Sequence, residues 1–217
     1  MATRTPSDPP EPGCAYPGDC ELTRFLRERS ADQDRAVVPE EWKRHAERAS
    51  KVRLLLLDVD GVLTDASLFY PGAGEEMKVF NSRDGFGMNL ARKGGVAVGV
   101  ITARQSEAMS RRAADLKLDH LVQGCRNKVE ACAGILAATG ITLAETAFMG
   151  DDWLDLSLLS RVGFAAAPAD ADPEVLRRVH FVSSKGGGRG AVRELCELIL
   201  CARGHRDRLL IEYLTRQ

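Results

Sequence analysis

Two acidic residues stand two positions apart in a setting that suits catalysis. Asp58 and Asp60 directly follow an apolar run, and Gly61 comes next. If the chain is extended there, both carboxylates face the same way, and the glycine lets the backbone turn sharply. One acid could then attack an electrophile while its neighbour transfers the proton. Acid pairs are also common as solvated residues at loop starts, so the pair alone leaves both interpretations open.

A threonine and a lysine further along the chain could bind phosphate oxygens near this pair. Thr102 ends a second apolar run, and its hydroxyl emerges at the same edge as Asp58 if the two strands are neighbours. Lys128 follows Asn127 at the start of a helical pattern. Taken singly, the threonine is more often a helix N-cap and the lysine a surface charge. Neither residue alone identifies a site.

Residues 150–155 add three carboxylates after another apolar run. Acids are favourable at a helix N-terminus because of the helix dipole, so Asp152 and Asp155 are interpreted as capping residues. Asp151 lies at the strand end itself. There it can join Asp58 and the main-chain carbonyl of the second acid around a hard, oxygen-preferring cation such as Mg²⁺.

The elements that must position these residues alternate along the chain. Short apolar runs follow one another from Val52 onward, separated by segments with helical periodicity. This alternation predicts an α/β fold with a Rossmann-like, doubly wound parallel sheet and a site at the carboxyl ends of its strands. The predicted strands are 52–57, 96–101, 120–122, 146–149, 163–167 and 180–182, and the predicted helices are 85–93, 105–116, 128–138, 153–161 and 190–202. A projecting β-hairpin is predicted from strands 67–70 and 76–80 around the turn 71–74.

Length and composition limit the function classes. At 217 residues the chain has room for one core-bearing domain plus an appendage. We predict an N-terminal tail at 1–50, disordered to partly helical, a catalytic domain at 51–204 and a C-terminal extension at 205–217. The 30 basic and 31 acidic residues nearly cancel, which argues against nucleic-acid or membrane-surface partners and favours a small-molecule substrate. We expect a cytoplasmic protein, because no secretion signal, spanning segment or C-x-x-C pair is apparent.

The motifs together resemble a known superfamily. The haloacid dehalogenase superfamily has the motif order D-x-D-G-V, then Thr, then Lys, then G-D-D-x-x-D, and this chain has the same order. Within it, residues 53–204 resemble the 3-deoxy-D-manno-octulosonate 8-phosphate (KDO 8-phosphate) phosphatase family. The resemblance rests on the segments DVDGVLTD at 58–65, FNSRDGFG at 80–87, QG at 123–124, NK at 127–128, GDD at 150–152 and GGRGAVRE at 187–194.

The resemblance implies a capless phosphomonoesterase. Asp58 would attack phosphorus and form an aspartyl-phosphate, while Asp60 would protonate the departing sugar oxygen and then activate water. Thr102 and Lys128 would bind phosphoryl oxygens. Mg²⁺ would be held by Asp58, the Asp60 carbonyl and Asp151, offsetting the repulsion between carboxylates and phosphate.

The resemblance also implies substrate contacts, with two departures from the family pattern. The family often has Gly where Ala103 stands and Arg where Asn89 stands, which leaves the exact sugar acid open. The glycine-rich loop 186–190 is a lid candidate that carries Arg189, and it also has the plain interpretation of a flexible helix start. The implied substrate-binding residues are Asp60, Asn81, Ser82, Arg83, Asp84, Gly85, Arg104, Arg112, Lys128 and Arg189.

The spacing of the motifs bears on assembly. Only 44 positions separate Asp58 from Thr102, and 23 separate Lys128 from Asp151, too few for a cap domain. A site without a cap is open on its own subunit, and a sugar-sized substrate needs more enclosure. We therefore expect neighbouring subunits to complete it, as in the family's homotetramers built around the projecting hairpin.

Three other functions remain to be weighed. A phosphatase for a nine-carbon sugar acid, ketodeoxynononate 9-phosphate, shares the capless body, but Arg83 favours the eight-carbon substrate. A noncatalytic oligomerisation domain related to sugar-nucleotide synthetases is disfavoured because every catalytic position is filled. A receiver domain is disfavoured because its phosphorylated Asp ends a middle strand, whereas Asp58 ends the first.

Overall fold

The computed structural model describes residues 38–70, 72 and 77–215. A six-stranded parallel sheet with strand order β3-β2-β1-β4-β5-β6 forms the centre. This arrangement confirms the predicted α/β class. The strands are β1 (Leu54–Leu57), β2 (Ala97–Ile101), β3 (His120–Val122), β4 (Thr146–Met149), β5 (Phe164–Ala167) and β6 (Phe181–Val182).

Helices cover both faces of the sheet. The apolar sequence of strand β1 is explained by its position between two cores. Leu55 and Leu57 pack into the core on one face of the sheet, and Leu54 and Leu56 pack into the core on the other. A parallel strand buried on both sides has no solvent face, so a run of four leucines suits it. The α-helices are α1 (Ala46–Ser50), α2 (Ser82–Lys93), α3 (Glu107–Leu116), α4 (Lys128–Thr139), α5 (Trp153–Leu159), α6 (Pro173–Leu176), α7 (Ala191–Ala202) and α8 (Arg206–Leu214).

The two ends of the described chain pack on the body. A 3-10 helix at Glu40–His45 leads into α1, and Trp42 and Ala49 are buried in the main core. Near the other end, Leu209 of α8 packs with Leu90 and Leu200. Residues 1–37 of the predicted tail lie outside the described residues, and the domain boundaries at 51 and 204 stay predictions.

The predicted hairpin is reduced to one antiparallel bridge in the described residues. Phe69 pairs with Met77, and neither flanking segment forms a longer strand there. Of the predicted turn, only Gly72 lies within the described residues. The flanks are apolar and exposed, with Phe69 63%, Met77 55% and Val79 79% accessible.

The register of the sheet brings the ends of three strands together. Leu57 of β1 lies opposite Val100 of β2 and Met149 of β4. The residues that follow these three strands therefore emerge side by side at one edge. Among the described helices, none is long and apolar enough to cross a bilayer.

Candidate active site

The loop after β1 is shaped around Asp58 and Asp151. The Asp58 N–H donates to the Met149 carbonyl at 3.0 Å, which continues the sheet pairing by one residue. Gly61 has φ +84°, and a Cβ on it would lie 2.0 Å from Asp151 Oδ2. A side chain at position 61 is thus excluded both by backbone conformation and by the carboxylate. The close packing holds Asp151 over the turn that follows Asp58.

Lys128 is buried in the site and is not a surface charge. It opens α4, where the Asn127 side chain accepts the N–H groups of Val129 and Glu130 as an N-cap. Its Nζ lies 2.9 Å from Asp58 Oδ1 and 2.5 Å from Asp155 Oδ1, and only 4% of the side chain is exposed. A lysine is seldom buried unless it is paired, and these two carboxylates supply the pairing.

Asp155 does more than cap a helix. It completes the capping box of α5 with Asp152, and its Oδ2 accepts the N–H of Asp151 at 3.0 Å. Its other oxygen holds Lys128, and its side chain has no exposed area. The interpretation of Asp155 as a capping residue is therefore incomplete: it is an anchor of the site that the sequence reasoning missed. The signal was present in the G-D-D-x-x-D motif, where the third acid recurs one helical turn after the second.

Thr102 is buried beside the acids and does not cap α3. Ser106 occupies the N-cap position of that helix, where its Oγ accepts the Met109 N–H. The Thr102 hydroxyl instead accepts the Arg104 N–H at 3.3 Å, and the side chain is 4% exposed. Since β2 neighbours β1, this places a buried hydroxyl at the same sheet edge as Asp58.

Two cations border the carboxyl group of Asp60. Lys78, from the second arm of the hairpin segment, pairs with Asp60 Oδ1, and the Arg104 Nε lies 3.7 Å from Oδ2. The Arg104 guanidinium also donates to the hydroxyl of Tyr70 at 3.3 Å. Arg104 was singled out in the sequence, whereas Lys78 was not, because nothing in its local pattern distinguishes it from a solvated lysine.

The acid cluster has the composition of a divalent-cation site. Carboxylate oxygens of Asp58, Asp151 and Asp155 lie within 4.8 Å of one another, and Asp151 Oδ1 is buried without a hydrogen-bond partner. Burial, reinforced by Asp155, raises the pKa of Asp58 to about 6, against the opposing effect of Lys128. Burial and the charges of Asp155 and Asp58 raise the pKa of Asp151 to about 8. A hard cation would compensate this repulsion, and an all-oxygen donor set suits Mg²⁺.

Comparisons with known proteins agree with this geometry. A family model for haloacid dehalogenase-like hydrolases matches residues 120–193. The 3-deoxy-D-manno-octulosonate 8-phosphate phosphatase KdsC of Escherichia coli strain K12 is 42% identical over 160 residues, which are 74% of this chain and 85% of that protein. This chain belongs to the KDO 8-phosphate phosphatase family.

Solved structures of the family share the fold. The enzyme of Yersinia pestis is 40% identical with a TM-score of 0.74, and the match covers 75% of this chain and 88% of that one. The enzyme of Moraxella catarrhalis, solved with magnesium ion, phosphate ion and KDO, is 33% identical with a TM-score of 0.77. The match covers 79% of this chain and 98% of that one. Within the described residues, the intervals 58–102 and 128–151 hold no cap domain, so the capless haloacid dehalogenase fold is confirmed.

Several substrate positions implied by the KDO 8-phosphate phosphatase family hold helices together in this subunit. Asp84 is buried, and its carboxylate accepts the Gly190 and Arg193 N–H groups at the start of α7, at 3.2 and 2.7 Å. Asn81 caps α2 by accepting the Arg83 N–H, and its amide donates to the Gly188 carbonyl. These contacts tie α2 to α7.

A second group of these positions lies between α2 and α3. A Cβ on Gly85 would lie 2.3 Å from Arg112 Nη2, so this glycine makes room for the guanidinium. Arg112 donates to the Asn81 carbonyl at 3.2 Å and stacks on Phe80, while its Nε is buried without a partner. Ser82 and Arg83 are exposed at the start of α2. These contacts hold α2 against α3, and Arg112 also lines a cavity together with Lys78.

The glycine-rich loop 186–190 is fastened to the loop after β1. The Gly188 N–H donates to the Val62 carbonyl at 2.9 Å, and the Gly187 N–H donates to Asp170 at 2.8 Å. Arg189 is largely exposed, with its Nη2 3.5 Å from Asp65. The contacts favour a fixed helix start over a mobile lid, and they leave the Arg189 side chain free to turn toward solvent.

Proposed function

We propose that this protein is a Mg²⁺-dependent phosphatase that hydrolyses KDO 8-phosphate to KDO and phosphate through an aspartyl-phosphate. The observation that carries the proposal is the buried Lys128, which lies between Asp58 and Asp155 at the sheet edge. A carboxylate fixed by an ammonium group beside an unpaired acid, Asp151, is equipped to attack a phosphate ester. Relatives 42% identical bear the name of this activity.

In the first half of the reaction, Asp58 attacks phosphorus in line and the bond to the sugar oxygen breaks. Lys128 binds a phosphoryl oxygen while it keeps the attacking carboxylate ionised and oriented. Asp60 carries a proton on Oδ2, the oxygen that Lys78 does not hold, and gives it to the departing sugar oxygen. Thr102 supplies a hydroxyl to another phosphoryl oxygen.

In the second half, water attacks the aspartyl-phosphate and Asp58 is released. Asp60, now a carboxylate, removes the proton from this water, which restores its starting state. Asp58, Asp151 and the Asp60 carbonyl would hold Mg²⁺, which offsets the charge of the phosphate against the carboxylates. Asp155 remains in contact with Lys128 throughout.

We assign the sugar to the cavity that borders Lys78, the residue that holds Asp60. This cavity, about 720 Å³ in volume, lies between the hairpin segment and α3, and Tyr70, Lys78 and Arg112 line it. Its size suits a sugar phosphate, and its arginines suit a sugar carboxylate. Asn89 and Ala103 stand where the family often has Arg and Gly, so the exact sugar acid is left to the substrate panel below.

We further propose a homotetramer that works in the cytoplasm. The exposed apolar flanks of the hairpin segment, Phe69, Met77 and Val79, support burial against other subunits, because a monomer seldom exposes such a cluster. Ser82, Arg83 and Arg189 would then serve a neighbouring site. Light scattering after size-exclusion chromatography should give four times the monomer mass, and V79D should lower it. A monomeric wild type would overturn this assembly.

The function is tested by phosphate release from a panel of sugar phosphates, including KDO 8-phosphate and ketodeoxynononate 9-phosphate. We expect KDO 8-phosphate to be the best substrate, release to stop on addition of EDTA, and Mg²⁺ to restore it. A preference for the nine-carbon ester would replace KDO 8-phosphate as the substrate and keep the reaction. No release from any ester would support the noncatalytic oligomerisation domain.

A further inference from the structure

We propose that Lys78 is a positioning residue for the proton-transferring acid Asp60, and that the hairpin segment acts on catalysis through it. The inference rests on the proposed phosphatase function and deepens it. It assigns a role to a residue other than Thr102 and Lys128, which bind the phosphoryl oxygens. The role is to fix the orientation of the Asp60 carboxylate toward the leaving oxygen.

The contact itself is buried and involves one oxygen of the acid. The Lys78 side chain is 1% exposed and its ammonium pairs with Asp60 Oδ1, whereas the Asp60 side chain is 22% exposed. Because the Lys78 ammonium donates to Oδ1, the Asp60 carboxyl group cannot turn freely, and Oδ2 is left for the proton. The exposed part of Asp60 is therefore presented in a fixed orientation.

Both arms of the hairpin segment reach this acid. Lys78 follows Met77, which bridges to Phe69 in the other arm. Next to Phe69, Tyr70 contacts Arg104 through its hydroxyl, and the Arg104 Nε lies 3.7 Å from Asp60 Oδ2. A shift of either arm would thus move a cation that borders the acid.

Orientation matters most for a poor leaving group. A sugar alkoxide leaves only as the proton passes from Asp60 to its oxygen, and a positioned acid contributes roughly 10²–10⁴-fold to such a step. A p-nitrophenolate leaves without that proton. A misplaced Asp60 should therefore slow the cleavage of sugar and phenyl esters and spare the nitrophenyl ester.

The test compares esters that differ in leaving group. In Lys78→Met with Mg²⁺ present, we expect kcat/KM for KDO 8-phosphate to fall about 100-fold. Phenyl phosphate should show an intermediate loss, and p-nitrophenyl phosphate a loss within about threefold. Lys78→Arg, which keeps the charge, should recover most of the sugar-phosphate activity. Tyr70→Phe should show the same order of esters with a smaller loss, and Lys43→Met, at a side chain 74% exposed, should match the wild type.

The outcomes separate the role from its alternatives. An equal loss on all three esters would mean that Lys78 only supports the fold, and no loss on any would mean that Asp60 does not depend on it; either result overturns the proposal. A loss on KDO 8-phosphate with none on phenyl phosphate would assign Lys78 to sugar binding and also overturn it. If the wild type prefers another sugar phosphate, the proposed substrate fails while the two aryl esters still decide the role of Lys78.

Discussion

Asp155 offers a test of how the site is held together. It is fully buried, and its two oxygens are divided between Lys128 at 2.5 Å and the N–H groups of Asp151 and Asp152 at 3.0 and 3.3 Å. Asp155→Asn keeps the shape and one acceptor oxygen. If that oxygen stays on the backbone, the amide NH₂ must face the Lys128 ammonium, so two donors meet in a buried place.

The magnitude follows from two opposed effects. Breaking a buried ion pair costs about 3–5 kcal/mol when the remaining charge is uncompensated, but Lys128 keeps Asp58. Removing the Asp155 charge also relieves its repulsion with Asp58 and Asp151, which burial otherwise makes costly. We expect a net loss of about 2 kcal/mol in the free energy of unfolding, the range of one hydrogen bond to a charged group. For a chain of this size, this corresponds to a fall of about 4–8 °C in Tm.

The matched control is Asp152→Asn. Asp152 is exposed and caps the same helix, α5, and Asn caps almost as well as Asp. Thermal unfolding followed by circular dichroism should show little change for the control and the full shift for Asp155→Asn. Phosphate release by Asp155→Asn should also fall about ten- to a hundredfold, because Lys128 loses an anchor. Equal Tm values for the two variants would refute the reasoning.

Three further predictions follow from single residues. Asp58→Asn should lower phosphate release by more than about a thousandfold with the circular dichroism spectrum unchanged, and retained turnover would exclude it as the nucleophile. Gly187→Ala should destabilise the protein by more than about 3 kcal/mol in chemical unfolding, because its Cβ would lie 1.9 Å from a backbone carbonyl oxygen; the exposed helical Gly134→Ala, with open space around its Cβ, should instead add about 0.5–1 kcal/mol. Burial lowers the pKa of His180, whose Nδ1 accepts the Ala165 N–H at 2.9 Å, so the unfolded chain binds a proton first as pH falls below 6.5. The stability of the wild type relative to His180→Asn should therefore fall as the pH drops from 7.5 to 5.5, whereas the raised pKa values of Asp58 and Asp151 act in the opposite direction in both proteins; a difference in Tm between the two proteins that does not change with pH would contradict this.

The residues that end strands were accessible from the sequence. Asp58, Thr102 and Asp151 each follow a short apolar run, and parallel strands deliver their carboxyl ends to one edge. Lys128 was found through the motif order, since a lysine after a cap residue looks like any surface charge. The fold class came from the alternation of runs, whereas the short helix α6 was not predicted, because four residues are too few to establish a period.

The sequence by itself determined the α/β fold, the order of the motifs and the residues that emerge at the catalytic edge, because these depend on the periodicity of neighbouring residues. Only the tertiary structure decided what those residues touch. Lys128 and Asp155 are 27 positions apart, Asp60 and Lys78 are 18 apart, and Asp84 caps a helix through Arg193, 109 positions away. Such partners share no local pattern. Their pairing is fixed by the packing that removes both from water, since a buried charge must find an opposite charge or a hydrogen bond wherever the fold supplies one.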